Sequence, residues 1–305
     1  MSVILSLLLL SLSLAAAPLA AQTGADPRVW DSRAGRWVPW GTMADSLARH
    51  DVVLVGEQHD DPATHRAEAR LLDALAARRG RVMVSLEMFE RDVQPLLDDY
   101  AVGRLPEADF LARSRPWGNY ASDYRPLVEA ARAHRWPVVA ANVPRPLAQV
   151  VSRGGMAALD TLPFGHGRLY AAERRCAPEG EYFRRFGEAM GGMGGHGAAP
   201  DTAAANATLA RFYAAQCLKD ETMAESIVRA RDTWRGWMVV HYNGAFHSDH
   251  RLGTAERLAR RLPDARIAVI SIVPVPDPAT ADAAGLADRG DYVVLVPAPP
   301  AAARP

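Results

Sequence analysis

The 305-residue chain carries 35 Lys and Arg against 35 Asp and Glu, a formal net charge of zero at pH 7. Apolar residues make up 49%, enough for one large folded domain or for a domain with a sizeable insertion. Balanced charge without a basic, aromatic-interleaved run argues against nucleic acid and anionic membrane surfaces as partners.

Residues 3–21 (VILSLLLLSLSLAAAPLAA) are apolar, uncharged and end in small residues, the pattern of a secretory signal rather than a membrane anchor. Residues 1–21 are expected to be a signal peptide, which places the mature protein in the periplasm or the medium. No cysteine closes the apolar run, so a lipoprotein-type anchor is not expected. Two short β-prone pieces, Val29-Trp30 and Arg36-Trp37-Val38, flank a turn and predict a hairpin. A short helix is expected over 42–49.

The pattern then changes. Apolar runs at 51–55, 81–86, 137–141, 237–241, 266–272 and 291–296 read as buried strands. Helical spacing is expected over 64–78, 92–100, 106–113 and 123–134. Strands alternating with helices imply an α/β fold, a mostly parallel sheet covered on both faces. Between the third and fourth of these strands lies a stretch longer than a crossover helix needs, with helices expected over 168–175, 181–190 and 208–230. The expected division is an α/β domain over 22–152 and 231–297, a helical insertion over 153–230 and a disordered Pro/Ala-rich tail over 298–305. Cys176 and Cys217, the only cysteines, make either one disulfide or two buried thiols.

Four of these strands run into unusual polar residues at their carboxyl ends. The first leads to Gly56, Glu57 and His59, with His65 on the next helix. The second leads to Glu87 and Glu90, the third to Asn142 and Arg145, and the fourth to His241, Asn243, Gly244 and His247. In a parallel sheet these ends share one edge, where ligand sites form. Glu57, His59, Glu87 and His247 can hold a divalent metal that activates water, or Glu57 can orient His59 as a general base without one. Arg145 suits a carboxylate, a phosphate or a haem propionate. Each has a plainer structural explanation, such as a carboxylate at a helix N-terminus; it is the set of strand ends that points to a site. In the insertion, His166, His196 of the Gly-rich loop, Tyr170, Tyr213 and nearby Met and aromatic residues can ligate or enclose haem, or can simply form core.

The ordered tracts GEQHDDP, LEMFERDVQP, WGNYASDYRP, AANVPR, AQCLKDETMAESI and HYNGAFHSDHRLG together resemble the ChaN-like, haem-binding-uptake family of the Tiki superfamily, over roughly residues 45–273. The resemblance implies haem as cofactor, a role in iron acquisition and, since haem in that family is held between subunits, a homodimer. The patterns Gly56 to His59 and Gly244 to His247 also resemble those of Tiki and TraB proteins and of erythromycin-esterase-like proteins. These similarities make a metal-dependent hydrolase using Glu57, His59, Glu87 and His247, with Asn142, Arg145 and Asn243 orienting substrate, the rival expectation. A structural or interaction module would explain the fold but not the strand ends.

Overall fold

The computed structural model describes residues 26–163, 165–191 and 202–299. The expected signal segment, His196 with most of its Gly-rich loop, and nearly all of the expected tail lie outside these residues. Among the described residues an eight-stranded sheet runs in the order β2-β1-β8-β7-β3-β6-β4-β5. Its strands are β1 (Arg28–Asp31), β2 (Arg36–Val38), β3 (Val52–Glu57), β4 (Val82–Glu90), β5 (Val138–Asn142), β6 (Met238–Gly244), β7 (Ile267–Val275) and β8 (Tyr292–Pro297). The six strands β3 to β8 pair in parallel, and the leading hairpin is added antiparallel to β8. The all-apolar runs form the central strands, as expected of strands buried on both sides.

The helices are α1 (Trp40–Leu47), α2 (Pro62–Ala76), α3 (Gln94–Ala101), α4 (Glu107–Ser114), α5 (Arg125–His134), α6 (Arg145–Gly154), α7 (Gly180–Gly191), α8 (Thr202–Thr233) and α9 (Gly253–Arg261). On one face Val53, Val55, Val84, Leu86, Val240 and Ile270 pack against Met43, Leu71, Leu72, Leu75 and Val128 of α1, α2 and α5. Each such side chain contributes about 2 kcal/mol by leaving water. On the other face Val52, Leu54, Met83, Val239 and Val269 meet Ala224 and Ile227 of α8 and Ala255 and Leu258 of α9. The carboxyl-terminal half of α8 is thus the covering layer of the sheet.

Residues 168–175, expected as helix, are not helical beyond a 3-10 turn over His166–Leu169. The cause is local: the Ala171 N–H donates to Thr222 Oγ1 at 3.2 Å and the Ala172 N–H to Glu225 Oε2 at 2.9 Å. These backbone donors are spent on α8 side chains instead of a helical ladder. Cys176 and Cys217 form a disulfide that ties this extended segment to α8. No helix among the described residues is long and apolar enough to cross a membrane.

Candidate functional site at the strand ends

Alternation along the strands decides which group faces which helix layer. Glu57 follows Val53 and Val55 toward α2. Glu87 follows Met83 and Ser85 toward α8, as do His241 and Asn243 after Val239. At Glu87 the sheet is irregular. Between Leu86↔Ala140 and Glu90↔Asn142, four steps along β4 match two along β5, a bulge of the kind that re-aims a side chain beside a site. Asp61 caps α2 by accepting from the Thr64 N–H at 2.8 Å, with Pro62 in the first turn, and so fixes the loop that carries His59.

The groups form two linked arrays. In the first, Glu57 Oε1 accepts from His59 Nδ1 at 2.7 Å and from the Tyr124 hydroxyl. Burial alone would raise the Glu57 carboxyl, yet the hydrogen bonds and charge of His59, with Glu68 and Tyr124, hold it below the usual carboxylate range. Burial likewise works against the charge of His59, but Glu57 and Glu87 together raise it above an ordinary imidazole. In the second, His247 Nδ1 donates to Asp220 Oδ1 at 2.7 Å, and its Nε2 ion-pairs with Glu87 Oε1 at 3.2 Å. Burial would lower His247, but the two carboxylates push it up to about 9. Glu87, raised by burial, is brought well below its usual range by His247 first, then by His59 and Lys219. Asp220 also accepts from Tyr182 at 2.7 Å and from Thr254 at 2.9 Å.

The two arrays meet at Gly244. Its N–H donates to Glu87 Oε2 at 2.8 Å. A Cβ there would lie 2.7 Å from His59 Nε2 and 3.7 Å from Glu87 Oε2, so only glycine lets the His59 ring lie this close to the strand end. The His59 side chain is 41% exposed, whereas Glu57, Glu87 and His247 are buried. His59 is therefore the group of the four that a ligand can reach. Trp117 stands edge-on to it at 4.7 Å, and Phe246 follows two residues after Gly244, stacked on Tyr182.

Residues 43–258 match the family described as haem-binding uptake, Tiki superfamily, ChaN. The chain belongs to that family. Its fold is similar to ChaN of Campylobacter jejuni, a structure described as binding haem cofacially. That structure is 16% identical, with a TM-score of 0.65, over 89% of this chain and 97% of the other. A mutant of erythromycin esterase EreC in its open conformation is 12% identical over 84% of this chain and 78% of the other. Its TM-score of 0.45 is too low to carry an argument. No curated protein matches the chain.

Of the other residues singled out by sequence, Asn243 adjoins Gly244 and donates to its carbonyl oxygen at 2.8 Å. Asn243 is buried behind the rim, donating to Ser248 Oγ at 3.0 Å. Asn142 turns its Oδ1 onto the neighbouring Val143 N–H at 2.8 Å. Arg145 opens α6 with an exposed side chain, its backbone N–H donating to Glu90 at 3.1 Å. Tyr213 is buried among Tyr182, Phe183 and Phe186, while Tyr170 is half-buried under the Arg174 guanidinium. The metal quartet expected from sequence is spread over both arrays; among the described residues, three donors within 4.8 Å of one another come from Glu57, His65 and Glu68. Sequence reading passed over Asp220, Glu68 and Tyr124.

Proposed function

We propose that this chain is an exported haem-binding protein of iron uptake in which His59 meets the haem iron. Membership of a haem-binding family supports the ligand, and one structural observation supports the residue. His59 Nδ1 is tied to a carboxylate, which leaves Nε2, on the Gly244 side of the ring, as the nitrogen for iron. A histidine whose far nitrogen donates to a carboxylate is fixed in the tautomer and orientation that metal ligation needs. The half-buried ring of Trp117 stands beside it at 4.7 Å and suits a flat macrocycle. Bound haem would supply the iron; the protein holds Glu57 on His59, keeps Glu87 and His247 charged behind it and, with glycine at 244, gives the ring room against the strand end. Export is supported by the apolar run at 3–21 and by the Cys176–Cys217 disulfide, since such bonds persist in oxidising compartments.

Titration with hemin, followed at the Soret band, is expected to saturate for the unaltered protein and to weaken at least tenfold in His59→Ala. Equal affinity in the variant would remove His59 from this role, and no saturable shift at all would remove the haem reading.

One observation favours a second reading, a hydrolase. His59 Nε2 and Glu87 Oε2 flank the same point from opposite arrays, as a general base and a partner charge would. Turnover of small ester or peptide substrates that disappears in both His59→Ala and Glu87→Gln would support it. Turnover unaffected by either change would dismiss it.

A further inference from the structure

Beneath the rim, on the α2 face, lies a cluster that the haem reading leaves unused. Glu57, His65 and Glu68 each bring a donor atom within 4.8 Å of the others, and all three are buried. With Glu57 Oε1 taken by Tyr124 and His59, its Oε2 has no partner, and neither has Glu68 Oε1. Two carboxyl groups side by side in an interior need a shared proton or a cation between them, because an unpaired buried charge costs several kcal/mol.

His65 is oriented to complete such a set. Its Nε2–H donates to the His59 carbonyl at 3.0 Å, and a carbonyl oxygen can only accept. That leaves Nδ1, 2.7 Å from Glu68 Oε2, turned toward the carboxylates. A backbone carbonyl on the far nitrogen is a common support for a metal-bound histidine. A third orphan stands on the same face of the sheet. The Tyr242 hydroxyl is buried without a partner among the described residues.

We propose that Glu57, His65 and Glu68 form a closed site for one divalent first-row cation of the zinc or manganese type, separate from the haem. One imidazole nitrogen with two carboxylate oxygens suits such ions, and two carboxylates neutralise a dication. The ion pins α2 to the end of β3 and holds Glu57 where it anchors His59.

Protein purified without chelator is expected to carry about one equivalent of metal by elemental analysis. After chelator treatment it should take up Zn²⁺ or Mn²⁺ with a rise in Tm. Both effects are expected to vanish in Glu68→Gln and His65→Ala and to persist in His247→Ala. Chelator-treated protein that binds neither ion, or metal retained in Glu68→Gln, would overturn the proposal. In the first case an unchanged Tm in Glu68→Gln would assign a shared proton to the pair, since an amide mimics the protonated acid. Hemin titration of metal-free protein is read independently, so failure here leaves the haem reading standing.

Discussion

Odd-numbered residues of β3 and even-numbered residues of β4 look onto α2 and α5, where Val53, Val55, Val84 and Leu86 join Leu71, Leu72 and Val128 in one continuous apolar core. The opposite rows look onto α8 and α9, where Val52, Leu54, Met83 and Val239 form a short apolar strip. That strip gives way toward the carboxyl ends to Ser85, Glu87, His241 and Asn243, all buried. In the apolar core of the first face, away from Glu57, His65 and Glu68 at its rim, stability scales with area removed from water and is indifferent to pH. On the second it depends on charges that must each find a partner. Glu221, wholly buried, is held by Arg257 at 3.2 Å, by Arg260 at 2.8 Å and by Arg261. Buried ion pairs are a poor way to gain stability compared with apolar packing. The α8 face therefore carries groups that the fold alone does not need.

The contrast predicts unequal responses to substitution. The largest is expected for Asp220→Ala, which strips partners from His247, Tyr182 and Thr254 at once and should cost about 3–5 kcal/mol in urea unfolding at pH 7. On the opposite face Leu72→Ala should cost about 3 kcal/mol through a cavity, with the same value at pH 7 and pH 9.5. A loss at Leu72 that varied with pH would break the distinction between the faces.

The pH dependence itself comes next. His247 titrates at about 9 in the folded protein against an ordinary 6.5. Its stabilisation is thus fully present below about pH 6.5 and lost as pH rises through 9. Glu87 is shifted the other way, so its share is present above the usual carboxylate range and lost as pH falls. Urea unfolding should show stability falling on the alkaline side, with most of that fall absent from Asp220→Ala. The smallest effect is expected for Trp234→Ala, whose ring is 44% exposed. A change above about 0.5 kcal/mol there would show packing that surface exposure does not reveal.

Much of this was legible in sequence, for identifiable reasons. The central strands declared themselves as short apolar runs, and their polar ends had to share one edge once the sheet was parallel. Glu57, His59, Glu87 and His247 were singled out in this way, and the structure brings them to that edge. Other elements were hidden. α6 begins Arg145-Pro146 and reads as loop, and α9 begins on Gly253 in the left-handed region at φ 56°. That glycine is required because a Cβ would lie 2.6 Å from the His247 carbonyl oxygen. Asp220 was missed because a mid-helix acid carries no positional signal, and only the packing of α8 on the sheet brings it to His247. Arg145 was chosen for its charge, but its placement depends on how α6 leaves β5, which spacing does not encode.

The account rests on one accessible imidazole, set between the two arrays at Gly244. Substoichiometric hemin added to isotope-labelled protein should broaden the NMR signals of His59 and Gly244 first, through the paramagnetic iron. Broadening centred instead on Tyr170 and His166, with His59 and Gly244 sharp, would contradict it.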